Sequence, residues 1–210
     1  MGIAHGVEYM HQQNVVHGNL KIVRYSTPYV GHALIFLQAN ILADPDGYAR
    51  VAGLGVALIS SPMPGVDIDR FFHGAAPELV NRQRSESSNT GATKASDVYA
   101  FGVLSWEVSA ELAARPDNSL NEMIYLQIFA GEVPFPTESR IAGVFSMLMG
   151  RRPPRPDHPE LSGRLWETIK GCWKVDPAQR KTITEVISVL EAEIAAHRSR
   201  SCALGWQNWT

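Results

Sequence analysis

The stretch HGNLK, at positions 17–21, places three polar side chains at alternate positions: His17, Asn19 and Lys21. The amide of Asn19 can hydrogen-bond a hydroxyl group and orient it, but at neutral pH it cannot take up a proton as a general base would. Taken alone, His17 would more often be a core or turn histidine, and Lys21 a solvated lysine. Whether this stretch does chemistry therefore depends on the elements that position it.

The elements next to this stretch are predicted to be a helix before it and a β-hairpin after it. GIAHGVEYMHQQ places Ile3, Val7 and Met10 on one face of a helix that ends near Asn14. NILADPDGYARVAGLG contains two short apolar runs around a Pro-Asp-Gly turn, which is typical of a hairpin. Asn40 stands at the start of this hairpin, where on its own it would be a turn residue.

The rest of the chain is predicted to be mostly helical, with polar loops between the helices. Pro77 suits the first turn of a helix in APELVNRQ. DVYAFGVLSWEV is apolar enough to be a buried helix, with Asp97 as its N-cap. Further helices are predicted in PELSGRLWETIKGCW, with Ser162 as the cap, and in DPAQRKTITEVISVLEAEIAAH, with Thr182 or Thr184 as the cap.

The order of short motifs along the chain resembles the large lobe of the eukaryotic protein kinase fold. HGNLK stands where kinases have H-R-D-L-K, ANIL at the end of the catalytic loop, AGLG where D-F-G follows its strand, and APE is intact. The series continues with SDVYAFGVLSWEV, GEVPFP, RRPPRP and LWETIKGCWKVDPAQR. The resemblance implies a mainly α (α+β) fold, a kinase-like large lobe with a small β-hairpin at the end of the catalytic loop. Since no G-x-G-x-x-G or V-A-I-K stretch precedes residue 17, the small lobe is expected to be absent.

In this family phosphoryl transfer depends on positioning and charge neutralisation, and the resemblance assigns the parts residue by residue. Asn19 takes the place of the catalytic base and Gly53 that of the metal-binding aspartate, so both carboxylates are missing. Asn40 takes the place of the metal-binding asparagine, and Lys21 that of a lysine that faces phosphate. Gly18 replaces the arginine that would pair with an activation-loop phosphate. ATP and Mg²⁺ are the family's cofactors, but their binding here is expected to be weak or absent.

The structural positions of the family are better retained than its catalytic ones. Glu78, the glutamate of APE, and Arg180 are expected to form the family's ion pair, because such a pair is costly to bury unless both members are present. Asp97 matches the residue that holds the catalytic-loop backbone from below, and His17 has a structural role in the same motif. A retained scaffold with lost chemistry is the pattern of a pseudokinase.

Two runs interrupt the kinase-like order: residues 23–38, inside the catalytic loop, and residues 108–127, after the buried helix. Removing both restores the continuous order of the family, and removing the first restores the spacing within the loop. Both runs begin with Val and end with Gln, which matches the GT and AG ends of introns translated in frame. We hypothesise that both are retained introns; the alternative is two genuine loop insertions. On this interpretation, residues 1–196 form one kinase-like domain and residues 197–210 a loose tail.

Composition narrows the choice of partners and compartment. The chain has 210 residues, of which 45% are apolar and 19% charged, so it can bury a core in one domain. The formal net charge of −2 and the lack of a basic block disfavour nucleic acid and membranes as partners. Cys172 and Cys202 form no CxxC pair, so neither a zinc site nor a disulfide framework is expected. We expect a reducing, cytoplasmic location. With nucleic acid and membranes disfavoured, we expect protein partners, whose identity the sequence does not give.

Three functional interpretations follow from these features. The first is a truncated, inactive kinase-like protein that acts as an interaction module. The second is a member of an active protein kinase family, represented by an incomplete gene model with retained introns and a small lobe lost upstream. The third is a non-kinase binding protein that shares motif strings by chance, which the order of the motifs disfavours. The Cys172-Trp173 and Trp106-Glu107 pairs resemble the tyrosine-kinase-like branch, whereas Lys21 resembles the serine/threonine form.

Overall fold

The computed structural model describes residues 1–20, 40–43, 49–53, 74–82, 91–113, 135, 138 and 140–207 of the chain. Along these residues the elements are helix α1 (Gly2–Gln12), strands β1 (Ile41–Ala43) and β2 (Ala49–Val51), helices α2 (Pro77–Arg82), α3 (Lys94–Ala113), α4 (Arg140–Leu148) and α5 (Gly163–Cys172), a 3-10 turn (Pro177–Gln179) and helix α6 (Ile183–Gln207). This part of the chain is rich in helix, as predicted, and contains one two-stranded sheet.

The two strands pair antiparallel, as the hairpin prediction requires. Ile41 lies opposite Val51 in the register, and the side chain of Val51 packs against the apolar core. Beyond the paired residues, the N–H of Ala52 donates to the carbonyl oxygen of Asn40 at 2.8 Å. The expected Pro-Asp-Gly turn, at 45–47, lies outside the described residues. The hairpin therefore brings the residue before β1 and the residues after β2 to one place beside α1.

Helix α3 is buried along its first half and connects two apolar clusters. Val98 and Phe101 belong to the first cluster, which they share with side chains from α1, α5 and α6. Tyr99, Val103 and Trp106 belong to the second cluster, with side chains from just before α2 and from α5 and its flanks. Because the apolar side chains of α3 point to both sides, the helix lies within the core instead of on its surface. The prediction of a buried helix is confirmed.

Helix α3 begins at Lys94, so the prediction that Asp97 is its N-cap is wrong. Thr93 and Ser96 cap the helix reciprocally. The Ser96 N–H donates to Thr93 Oγ1 at 3.1 Å, and the Thr93 N–H donates to Ser96 Oγ at 2.9 Å. These two bonds satisfy donors at the helix start. The Asp97 carboxylate, already inside the first turn, accepts bonds from other parts of the chain instead.

The first residues of α5 and α6 are capped as the sequence predicts. Ser162 Oγ accepts from the Leu165 N–H at 3.1 Å. Of the two candidates at α6, Thr182 is the cap. Its N–H donates to the Glu185 carboxylate at 2.6 Å, and its Oγ1 accepts from the Glu185 N–H at 3.3 Å, which is a capping box. Thr184 lies inside the helix.

The C-terminal helix is longer than the sequence analysis expects. α6 continues to Gln207, so the prediction of a loose tail is wrong for residues 197–207. The Arg, Ala and Leu residues of this segment have high helix propensity, so the helix continues although residues 195–200 are exposed and bury no face. The division of the chain at residue 196 stays a prediction.

The two interrupting runs are described only in small part. α3 continues into the second run as far as Ala113, so the start of that run extends a helix. The remainder of the run 108–127, and the whole of the run 23–38, lie outside the described residues. No helix in the described part of the chain is long and apolar enough to cross a membrane.

Candidate functional site

The carboxylate of Asp97 holds the start of the HGNLK stretch from below, as expected. Its side chain is almost completely buried, with 1% of its surface exposed. Oδ2 accepts from the backbone N–H of His17 at 2.8 Å, and Oδ1 accepts from that of Gly18 at 2.8 Å. Two charge-assisted hydrogen bonds to this one carboxylate fix both the position and the direction of the loop backbone.

A third partner of this carboxylate was missed by the sequence analysis. His11, in the last turn of α1, lies with Nε2 2.9 Å from Asp97 Oδ2, and both side chains are buried. The residue stands one helical turn beyond Val7 on the buried face of α1. A polar residue on an apolar face needs a partner, and this was the signal that could have found it. Asp97 thus joins α1, α3 and the loop.

The imidazole of His17 links the loop to the end of the hairpin. The side chain is completely buried, and Nε2 lies 2.8 Å from the carbonyl oxygen of Ala52. The N–H of Asn19 donates to Nδ1 at 3.2 Å. A carbonyl oxygen can only accept and an N–H can only donate, so these partners define a neutral ring with its proton on Nε2. His17 therefore has a structural role at this site.

The two halves of the loop meet through the side chain of Asn40. Its Nδ2 donates to the backbone carbonyl oxygen of Asn19 at 2.6 Å, although the two residues are 21 positions apart. The sequence left open whether the run 23–38 would keep them apart, and the structure brings them together. Asn40 is 6% exposed, so the contact is internal. Lys21, the other residue assigned to this loop, lies outside the described residues.

Gly53 lies directly against the amide of Asn40. Its backbone has φ of +81°, in the left-handed region that glycine adopts without a steric penalty. A Cβ atom added at Gly53 would overlap Oδ1 of Asn40 and would lie 2.6 Å from Cγ and 3.3 Å from Cβ of that residue. The space in which a side chain at position 53 would begin is therefore filled by Asn40. Asn19, Asn40 and Gly53 thus form one cluster.

This cluster does not fit the Mg²⁺ that the kinase resemblance implies. Mg²⁺ prefers oxygen ligands that include one or two carboxylates, and neither Asn19 nor Gly53 supplies one. Oδ1 of Asn40 is turned towards Gly53. The nearby Asp97 is buried and occupied by backbone donors. Over the residues that the structure describes, no group of three or more His, Cys, Asp and Glu side chains could hold a metal ion.

The predicted pair of Glu78 and Arg180 is present and bidentate. The two guanidinium NH₂ groups donate to the two carboxylate oxygens of Glu78 at 2.7 Å each. The remaining donors of Arg180 bond the carbonyl oxygens of Ala95, Lys174 and Val175, at 2.8–3.1 Å. All five N–H groups of the guanidinium thus have an acceptor. Such complete pairing offsets the cost of burying the charge.

A half-buried arginine, Arg152, received no role in the sequence analysis although it belongs to the RRPPRP motif. It donates to the carbonyl oxygens of Met147, at 2.7 Å, and of Trp173. Its guanidinium lies 5.6 Å from the ring centre of Tyr99, and that of Arg180 lies 4.9 Å from the same ring. Burial raises the pKa of Tyr99, and the two arginines act against this rise. The phenol is therefore neutral, and both guanidinium groups lie within cation–π distance of its ring.

Comparisons with known proteins show that the chain is similar to protein kinases. The family model described as protein tyrosine and serine/threonine kinase matches residues 39–190. A dual serine/threonine and tyrosine protein kinase of Apis mellifera is 25% identical over 96% of this chain and 17% of its own length. A serine/threonine-protein kinase of Arabidopsis thaliana is 24% identical over 90% of this chain and 26% of its own.

A further similar protein of Arabidopsis thaliana is named an inactive leucine-rich repeat receptor-like serine/threonine-protein kinase. It is 24% identical over 91% of this chain and 26% of its own length. The chain spans about a sixth to a quarter of the length of these three relatives. The matched region includes Asn40, Gly53, the Glu78–Arg180 pair and the buried helix α3.

Proposed function

Since the chain belongs to the protein tyrosine and serine/threonine kinase family, we propose that it is a pseudokinase: a kinase domain that keeps the scaffold and lacks phosphoryl transfer. Its function is then to bind a protein partner. The observation that carries this proposal is the cluster of Asn19, Asn40 and Gly53. The catalytic base and the metal-binding aspartate of the family are both absent from it, and the amide of Asn40 lies directly against Gly53.

The chemistry supports the loss of activity in two steps. General acid–base assistance contributes about 10²–10⁴-fold to a reaction rate, and the amide of Asn19 cannot provide it. A missing metal ligand acts separately, because the charge on the transferred phosphate must be neutralised for phosphoryl transfer to proceed. Gly53 offers no side-chain ligand atom, so this second contribution is lost as well.

The retained contacts support a folded binding module instead of a decayed chain. Asp97 accepts three hydrogen bonds and Arg180 donates five, and each of these buried charges is fully partnered. These contacts join separate parts of the scaffold to one another. One similar protein is itself named an inactive kinase, so loss of activity is compatible with this level of similarity.

A direct test is thermal unfolding of the protein with ATP, with and without Mg²⁺. A ligand at about 100 times its Kd stabilises the folded state by about 2.7 kcal/mol, which for a chain of this size raises Tm by roughly 5–10 °C. We expect no Mg²⁺-dependent shift. Mg²⁺ alone and ATP with a chelator are the matched controls. A shift that requires both components would show that Gly53 does not prevent metal–nucleotide binding.

A second candidate function is that of an active kinase whose sequence includes two retained introns. The observation in its favour is that the loop halves on either side of the run 23–38 meet through Asn40 and Asn19 as in one continuous loop. The family match also begins directly after this run, at residue 39. Transcript reads that join Ile22 to Ala39 would support retained introns, and uniform read coverage of the run would exclude them. Even then, Asn19 and Gly53 remain without carboxylates.

The proposal includes a cytoplasmic location. Cys172 is a free, buried thiol, and burial raises its pKa to about 12, so it stays protonated and unreactive at neutral pH. Such a thiol is compatible with a reducing compartment, where disulfides are rare. Fractionation of cells that express a tagged chain tests this, and recovery in the secreted fraction would contradict it.

A further inference from the structure

We propose that Asn40 and Gly53 form one steric unit that closes the loop in place of a metal site, with Asn40 as a positioning residue for the backbone of Asn19. This inference rests on the proposed function and explains what holds the loop together after the loss of its carboxylates. Glycine is then required at position 53. An aspartate placed there displaces Asn40 instead of sharing a metal ion with it.

The space around Gly53 is too small for a side chain. Non-bonded carbon atoms pack at about 3.5–4.0 Å, whereas a Cβ at position 53 would lie 2.6 Å from Cγ and 3.3 Å from Cβ of Asn40. Rotation of the amide about its terminal bond would relieve the overlap with the oxygen but not the contact with Cβ. Any side chain at position 53 therefore requires Asn40 to move as a whole.

Asn40 is held in place at two points. Its backbone carbonyl oxygen accepts from the Ala52 N–H at 2.8 Å, next to Gly53 in the chain, and its Nδ2 donates to the Asn19 carbonyl oxygen at 2.6 Å. The side chain is also buried. Displacement of the side chain removes this donor from a carbonyl oxygen of the loop, which is costly in a buried place.

The backbone conformation of Gly53 also disfavours a side chain at this position. With φ of +81°, residue 53 is in a conformation that L-amino acids with a Cβ rarely adopt. A substitution at this position thus meets two penalties, one from the backbone and one from Asn40. Only the second penalty depends on the identity of residue 40, and this dependence can be measured.

The test is a double-mutant cycle between Gly53→Ala and Asn40→Ala, with Tm as the readout. We expect Gly53→Ala to lower Tm by about 6–12 °C in the otherwise unchanged protein. In the Asn40→Ala background we expect about half of that fall, because the overlap with Oδ1 and Cγ is removed while the backbone penalty and the contact with Cβ of residue 40 remain. Equal falls in the two backgrounds would overturn the inference. The alanine variants leave the charge of the site unchanged, so electrostatics do not enter the comparison.

Gly74→Ala is the matched control. Gly74 has φ of +89°, and a Cβ added there would lie 3.3 Å from Cβ of Val103, with no contact to Asn40. Its substitution should lower Tm by the same amount with Asn40 and with Ala at position 40. If Gly74→Ala showed the same coupling as Gly53→Ala, the coupling would be a general loss of stability, and the inference would fail.

A second experiment distinguishes this inference from the proposed function. Gly53→Asp should gain no Mg²⁺-ATP-dependent rise in Tm, alone or together with Asn19→Asp, because Asn40 occupies the space. A rise in Gly53→Asp alone would contradict the inference. A Mg²⁺-ATP-dependent rise in the unchanged protein would overturn the proposed function, while the coupling of Gly53→Ala with Asn40→Ala would still decide the inference. The alanine cycle needs no folded aspartate variant.

Discussion

Arg180 and Asn40 are both buried polar side chains that join distant parts of the chain, but they differ in what their contacts depend on. Arg180 uses all five donors, and its partners are a carboxylate and three backbone carbonyl oxygens. Within the described residues, Asn40 makes one side-chain bond and fills a space that exists only because residue 53 is glycine. The first contact stabilises the fold whatever the loop does. The second depends on glycine at position 53.

If the chain is a pseudokinase, as we propose, this difference explains how its scaffold can persist without phosphoryl transfer. A buried charge that loses its partner costs several kcal/mol, so the Glu78–Arg180 pair is maintained by the stability of the fold alone. A catalytic carboxylate contributes little to stability and is held in place only by the need for activity. Once that need is gone, replacement by an amide or glycine costs nothing structurally, and a neighbour such as Asn40 can occupy the space.

The largest effect is expected from Arg180→Ala, which removes the buried ion pair with Glu78. The variant leaves the carboxylate of Glu78 without its cation and the three carbonyl oxygens without their donor. We expect a loss of about 3–5 kcal/mol in the free energy of unfolding, measured by urea unfolding. The control is Lys170→Ala, which removes an exposed pair with Glu167 and should cost less than about 1 kcal/mol. Similar losses for the two variants would contradict the assigned role of Arg180.

The next effect in size is expected from Asp97→Asn. The substitution keeps the shape of the side chain but places an NH₂ group against the N–H of His17 or of Gly18. It also removes the charge that strengthens both bonds. We expect a loss of about 2–3 kcal/mol, measured by the same urea unfolding. A loss below about 0.5 kcal/mol would mean that Asp97 does not hold the loop.

A small effect is expected from Asn19→Asp, which places a carboxylate in the loop beside Asn40. Asn19 contributes its backbone N–H and carbonyl oxygen to the structure, and the residue is partly exposed. We expect a change in stability within about 0.5 kcal/mol and no phosphoryl transfer to a generic protein substrate, because Gly53 is unchanged. Mg²⁺-dependent phosphorylation by the Asn19→Asp variant, absent from the unchanged protein, would show that one carboxylate is enough.

The smallest effect concerns pH and the cap of α6. Hydrogen bonds from the backbone and side chain of Thr182 hold the pKa of Glu185 below its ordinary value of 4.5. A carboxyl group with a lowered folded-state pKa stabilises the fold above its unfolded pKa, and this stabilisation is lost as the pH falls below 4.5 through the folded value. Glu185→Gln should therefore flatten the acid side of a plot of Tm against pH without altering the neutral side slope. Superimposable acid limbs would contradict this.

Local features of the fold could be predicted from the sequence, because their causes lie within a few residues. Ser162 and Thr182 cap helices through bonds to residues three positions on. The same kind of argument was wrong at Asp97. Several residues there could act as caps, and the choice depends on partners that are 79 to 86 positions away. A local pattern cannot include such distant partners.

The candidate site shows the same division between motif and geometry. The motif order placed Asn19, Asn40 and Gly53 in one site, and the Glu78–Arg180 pair in another. It could not give the contact of the Asn40 amide with Gly53, since this depends on a backbone φ and on the direction of one side chain. His11 was missed because it belongs to no motif, although its place on the buried face of α1 indicated a partner.

Helix α3 has a consequence for how the molecule melts. Val98 and Phe101 belong to one apolar cluster and Tyr99 and Val103 to the other, so neither cluster can open while the other keeps α3 in place. The two clusters form one cooperative unit, and amide protons on both sides of α3 should exchange with the same free energy of opening. The backbone N–H groups of His17 and Gly18, which bond the Asp97 carboxylate in the same helix, should exchange with this unit as well.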